Sequence, residues 1–212
     1  MRWPDLRLFG HGDQIVTGHL PDQLPGGQAR VLFTYLAVSR SLPARREELI
    51  EALWPWRAPA GADASLSGLL SRLRAVLGSE VLSGRGDVRL RLPQDAWIDL
   101  EAAEEATHRA ESAVAQRDWA RGWGPPLVAP FTARRGFLPG QDLPWAQEHR
   151  RRLDEIRCSA LESYAAVALG VARGNAAEAL RVYEALRERL RDELGATPAP
   201  ELRALQARLL RR

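Results

Sequence analysis

The sequence contains one cysteine, Cys158, and no lysine. A lone cysteine permits no internal disulfide and stands in no CxxC pair, so a reducing compartment and the absence of a cysteine-based zinc site are the default readings. Long apolar runs are also lacking. The longest, near Val31 to Val38 and Ala165 to Ala172, fall far short of the ~20 residues that span a bilayer, and MRWPDLRLFG has no apolar signal core. A soluble cytoplasmic protein with no membrane partner is expected. Phosphate-cradling loops are missing too: there is no GxxxxGK followed by Ser or Thr, and no GxGxxG behind a strand. The histidines His11, His19, His108 and His149 are scattered, and His149 has the acids Glu148 and Asp154 nearby. No nucleophile has a positioned base. The expectation is therefore no catalytic residue, no metal, no cofactor and no enzyme.

What is present is a chain of 212 residues, 45% of them apolar, with room for one large or two small domains and their cores. All thirty basic residues are arginine, partly a coding bias, and the net charge is only +3. Residues 1–99 hold twelve arginines against eleven acids, so a nucleic-acid surface must come from local segregation of charge. Ser71 to Arg91 shows it, with five arginines against Glu80 and Asp87.

Along the chain, DLRLFG and DQIVTGHL read as short strands bounded by glycine, with a third strand near Leu20. QARVLFTYLAVSR reads as a helix opened by Gly26 and Gly27. PARREELIEALWP reads as a second, starting after Pro43, with Glu47 and Glu48 in its early turns where acids suit the helix dipole. The loop WPWRAPAGADA leads to a third helix, for which Asp63 or Ser65 serves as N-cap. SEVLSGRGDVRLRL then reads as a hairpin with an arginine at its tip. From Asp99 onward the pattern is helical: LEAAEEATHRAESAVAQ, a long Gly/Pro-rich connection from Gly122 to Pro144, PWAQEHRRRLDEIRCSALESYAAVALGVA as one helix or a pair, then AAEALRVYEALRERLRDELG and PAPELRALQARLL.

The third helix is unusual. Leu66, Leu70, Leu73 and Leu77 make one apolar stripe at ~100° per residue, yet the opposite side centres on Gly68, Ser71 and Ala75, with Ser67 beside them and Arg72 and Arg74 on the flanks. A solvated face normally carries acids and i,i+4 ion pairs. The small face is therefore either a second buried face or a surface against which something large and anionic lies.

Three helices and a hairpin, with a recognition-type helix reading LSRLRAVLG, resemble the winged-helix DNA-binding domain of OmpR/PhoB-type regulators. PARREELIEALWP, LSGLLSRLRAVLG, GFLPGQDLPWAQEHRRRLDEIRCSALE and ALRVYEALRERLRDELGATPAPELRALQARLL, in that order, resemble the antibiotic-regulatory-protein type, in which a winged helix precedes a bacterial transcriptional activation domain. The resemblance implies an α+β winged helix over residues 1–99 that folds alone, and an all-α, tetratricopeptide-like domain over 100–212. Gly174, Ala179, Tyr183 and Leu186 fit the second half of one such repeat. A middle helix pair of the family pattern is missing, which favours capping by other helices or by a second copy in a homodimer.

The same resemblance implies double-stranded DNA as partner. Arg72 and Arg74 become contacts, Ser67, Gly68 and Ser71 face bases, and Arg85 at the hairpin tip enters the adjacent minor groove. Arg85 is otherwise a plain turn residue. Arg89 and Arg91 either reach phosphates or form a solvated strand face, and Arg45 and Arg46 either meet phosphates or belong to a surface helix. Trp54 reads as core, whereas Trp56 and Arg57 are implied contacts to RNA polymerase holoenzyme. The rival reading is a helical protein-binding adaptor with the winged helix as scaffold.

Overall fold

A computed structural model describes residues 5–6, 26–92, 96–122, 137–171, 176–195 and 197–211. The chain divides into two units, Met1–Asp99 with Gly136–Arg150, and Leu100–Arg135 with Arg151–Arg212. The strand expected over DQIVTGHL and the one near Leu20 lie outside the described residues, as do His11, His19 and most of the Gly/Pro-rich connection.

The first unit begins with β1 (Asp5–Leu6), which pairs in parallel with β5 (Trp97–Ile98) through the Asp5/Trp97 and Leu6/Ile98 registers. Between them come α1 (Gln28–Val38), β2 (Ala44–Arg45), α2 (Arg46–Leu53), α3 (Ala62–Leu77), β3 (Leu82–Ser83) and β4 (Asp87–Leu90). α1 is nearly all apolar and buries Ala29, Val31, Leu32, Phe33, Leu36 and Ala37. Against it lie Leu49, Ala52 and Leu53 of α2 and the stripe Leu66, Leu69, Leu70, Leu73 and Leu77 of α3. The second sheet is antiparallel in the order β2-β4-β3. Its β4 alternates, with Val88 and Leu90 buried and Asp87 and Arg89 exposed, as the period of two for a half-buried strand requires.

β2 was not expected. The sequence starts a helix after Pro43, whereas Ala44 pairs with Val88 and Arg45 with Asp87 before α2 begins at Arg46. Glu48 then reaches back one turn, its carboxylate accepting the Arg45 backbone N–H at 3.0 Å and Nε at 2.8 Å. Those hydrogen bonds, the backbone one foremost, hold the Glu48 carboxyl below its usual range. α3 also starts early, at Ala62 after Gly61, so neither Asp63 nor Ser65 caps it. The Asp63 carboxylate is turned instead to an arginine of α2.

Residues 137–150 complete the first unit. Leu138 and Gly140 turn the chain at positive φ, and the Arg150 guanidinium pins that turn by donating to the carbonyls of Phe137 (2.8 Å), Leu138 (2.6 Å) and Gln141 (2.6 Å). Trp145 stands edge-on to Tyr35 of α1 at 5.1 Å and to Phe137 at 5.9 Å, and His149 lies 5.1 Å from Phe137. The Trp145 Nε1–H donates to the Ala52 carbonyl at 3.0 Å. That carbonyl is one of the last of α2, which the helix leaves without a donor of its own. Trp145→Phe keeps an aromatic ring beside Tyr35 and deletes the donor. It should cost about 1 kcal/mol and lower the melting temperature by ~2–4 °C. Unchanged melting would mean that water replaces the indole at no cost.

The second unit contains α4 (Asp99–Ala115) from Leu100, α5 (Trp119–Gly122), the remainder of α6 (Pro144–Val171), α7 (Ala176–Leu194) and α8 (Pro200–Leu210). The chain reads PWAQEHRR through ALGV as one continuous helix, not a pair. Ala179, Tyr183, Leu186 and Leu190, spaced four, three and four, bury one face of α7 against Ala165, Ala166, Ala168 and Leu169 of α6 and Leu202 of α8. α4 runs beside α6 through Glu104 to Arg152 (2.6 Å) and Glu111 to the Ser159 hydroxyl.

Burial raises the carboxyl of Glu162 on α6 above its usual range, and the nearby charge of Glu111 raises it further. A raised carboxyl holds its proton more tightly in the folded state. Stability is therefore lost as pH climbs from the ordinary carboxylate range through the raised value, and no penalty remains below both. Glu162→Gln should raise the melting temperature at pH 7, by a margin that shrinks as the pH falls towards 4. A margin independent of pH would sink this assignment.

Candidate nucleic-acid interface

The small-residue face of α3 is not buried by any described part of the chain. Ser65, Ser67, Gly68, Ser71, Arg72 and Ala75 are all exposed, while the leucines behind them are buried. A Cβ built on Gly68 meets nothing within 4 Å. Glycine in a helix interior is unfavourable by roughly 0.5–1 kcal/mol relative to alanine, and among the described residues no packing asks for it here. Arg72 is exposed at the next turn, its Nε lying 3.4 Å from the Gly68 carbonyl.

Beside this face stands the hairpin β3–β4, turned by Gly84, Arg85 and Gly86. Gly84 has φ +87°, and a Cβ there would lie 1.8 Å from the Asp87 carbonyl oxygen, so the turn closes only over glycine. Arg85 is exposed at the tip. Arg89 is exposed on β4, and Arg45 on β2 is exposed opposite Asp87, its guanidinium paired to Glu48 at 2.8 Å. Arg45 is thus offset by Glu48, and Arg85 and Arg89 are the exposed cations of the hairpin.

Two of the arginines singled out in the sequence behave differently. Arg46, only 21% exposed, holds the Asp63 carboxylate at 2.7 Å and donates to the Asp63 carbonyl (3.0 Å), the Ser67 hydroxyl (2.8 Å) and the Arg85 carbonyl (3.3 Å). Arg74 donates Nε–H to the Leu82 carbonyl at 3.1 Å and Nη2–H to the Gly84 carbonyl. Nothing in the local sequence separates these two from Arg72: each is an arginine near the small face, and their partners lie 8 to 39 residues away. Asp63 is likewise a member of the site that spacing alone did not reveal.

In the loop that follows α2, Trp56 is 75% exposed and Arg57 is exposed beside it, whereas Trp54 is half-buried rather than core. Among the described residues, no group of three His, Cys, Asp or Glu is placed to hold a metal ion, and no helix is long and apolar enough to cross a membrane.

Comparison with known proteins gives this arrangement its relatives. Residues 168–210, the end of α6 through α8, match the bacterial transcriptional activator domain. The chain is 31% identical over 245 positions to the regulatory protein AfsR of Streptomyces coelicolor, and 30% over 238 positions to AfsR of Streptomyces griseus; these alignments take in 97% and 94% of the chain and 23% of each relative. It is 25% identical over 252 positions to the transcriptional regulatory protein EmbR of Mycobacterium bovis, covering 98% of the chain and 63% of EmbR. A solved structure, Mycobacterium tuberculosis EmbR in complex with a low affinity phosphopeptide, superposes over the whole chain with a TM-score of 0.69 at 23% identity and shares its fold over 66% of that protein.

These matches support the chain's resemblance to the antibiotic-regulatory-protein type. The chain spans about a quarter of the length of the AfsR relatives. Every alignment is longer than the 212 residues present, so each of these relatives carries residues within the matched span that this chain lacks.

Proposed function

We propose that this chain is a sequence-specific, double-stranded-DNA-binding transcriptional regulator whose residues 1–99, completed by 136–150, form a winged helix. α3 is its recognition helix and the β3–β4 hairpin its wing. The observation that carries the reading is the exposed face of α3. Small residues at Ser67, Gly68 and Ser71 let the helix approach base edges closely, and Arg72 projects from the same face toward guanine edges or phosphates. Arg85 at the wing tip lies where a narrow minor groove would draw a cation, and Arg89 and Arg45 lie where backbone phosphates pass. No catalysis is part of this role.

The helical unit, with its activator-domain match over 168–210, supports an activator that recruits RNA polymerase holoenzyme. Trp56 and Arg57, exposed in the loop after α2, would supply that contact. A homodimer would supply a neighbour for the helical pair that the shortened repeat region lacks.

The test is a titration of the full chain with duplex DNA carrying its promoter site, at several salt concentrations. Counterion release predicts that log K falls linearly with log salt, at a slope of about −0.9 for each phosphate neutralised. Binding without salt dependence, or none at all, would instead favour a helical adaptor that recognises protein.

A further inference from the structure

We propose that Arg46 and Arg74 are positioning residues, two brackets that hold the hairpin tip at a fixed reach from the outward face of α3, so that helix and Arg85 enter neighbouring grooves together. The inference rests on the DNA-binding reading above and assigns these two arginines a role other than touching DNA.

The two sites share one construction. Each guanidinium leaves a helix and ends on carbonyl oxygens of the hairpin: Arg46, from the first residue of α2, on Arg85, and Arg74, from the last turn of α3, on Leu82 and Gly84. Arg46 also grips α3 itself, through the Asp63 carboxylate, the Asp63 carbonyl and Ser67 Oγ, so one side chain links α2, α3 and the tip. Such links matter because the strand pairing of the β2-β4-β3 sheet ends at Asp87 and Ser83, so the tip Gly84–Gly86 extends beyond the ladder that holds the rest of the hairpin. A planar fork of five N–H donors serves acceptors on α3 and on the hairpin tip at once; an ammonium at the same place would keep the charge and lose the span.

A phosphate contact and a bracket differ in what lysine can rescue and in coupling to Arg85. If Arg46 acts through the tip, Arg46→Ala and Arg46→Lys should each lower affinity for duplex DNA about tenfold. Arg85→Ala combined with Arg46→Ala should then cost no more than the larger single loss, as expected of residues in one linked unit. Amide hydrogen exchange at Arg85–Val88, measured without DNA, should quicken about tenfold in Arg46→Ala, Arg46→Lys and Arg74→Ala, and stay at the parent rate in Arg72→Ala. Near-parent affinity in Arg46→Lys, additive losses in the double variant, or unchanged exchange at the tip would each overturn the proposal. Should Arg46→Ala fail to fold, Asp63→Ala, which removes the acceptor at the exposed end of the same bracket, carries the exchange measurement. Because exchange needs no DNA, a parent protein that ignores duplex DNA would sink the functional reading and leave the brackets to be judged by exchange alone.

Discussion

Gly68→Glu should reduce the affinity of the full chain for its duplex site at least a hundredfold while the protein melts at or above the parent temperature. The two halves of this expectation have separate causes. On the folding side, Gly68 is exposed in the middle of α3 and a Cβ there meets nothing within 4 Å, so a side chain enters open space. Glutamate is a better helix former than glycine, and at position 68 it stands four residues before Arg72, the favoured order for an i,i+4 ion pair. On the binding side, the added carboxylate occupies the place where bases approach, repels phosphate and neutralises Arg72. An arginine on a guanine edge is worth ~1–3 kcal/mol of discrimination and a like-charge juxtaposition several more, so a hundredfold loss, about 2.8 kcal/mol, is a floor.

Gly68→Ala sharpens the test. It should raise stability by about 0.4–1 kcal/mol, and any fall in affinity then reports crowding alone. If the glutamate variant unfolds, the face is buried by something absent from the described residues. Should it fold and bind like the parent, α3 does not read DNA.

Gly84→Ala should be the most damaging single methyl in the first unit. The added carbon would lie 1.8 Å from the Asp87 carbonyl oxygen, a backbone atom that cannot swing aside, at a φ of +87° that L-residues rarely adopt. The turn must open, at a cost of about 2 kcal/mol or more. Leu82 and Leu90 pair directly across the two strands, and both they and Val88 are buried, so the distortion is transmitted to the core. Gly86→Ala, two residues on, is the control. No atom lies within 4 Å of a Cβ there and φ is not positive, so stability should change by less than ~0.5 kcal/mol. Comparable losses in both variants, read by thermal melting, would mean that general loop rigidity and not the close approach to Asp87 sets the requirement.

Much of the local structure was legible from the chain alone. The leucine stripe of α3, the apolar run of α1, the β-branched residues around Gly-Arg-Gly and the Ala179, Tyr183, Leu186 series of α7 each announce an element through its own periodicity, and those elements are present. That small residues 67, 68 and 71 share a side of any helix drawn through Leu66 and Leu70 was legible for the same reason; that this side is exposed was not. What could not be read were choices made by partners distant in sequence. Ala44 and Arg45 carry no strand pattern; they are extended because β4 offers its edge to them. Asp63 has the chemistry of a helix cap and is used instead by Arg46, 17 residues earlier.

The division between Arg72 and the pair Arg46 and Arg74 shows most plainly where sequence stops. Periodicity determined which elements form and which side chains face away from the core, since those depend on neighbours three or four residues apart. The tertiary structure decided what each arginine is occupied with and where the first unit ends. Trp145 reaches an α2 carbonyl 93 residues back, and Arg46 reaches a hairpin carbonyl 39 residues on. A guanidinium or an indole N–H bonds whatever acceptor the folded chain brings within about 3 Å, and no local pattern encodes that meeting.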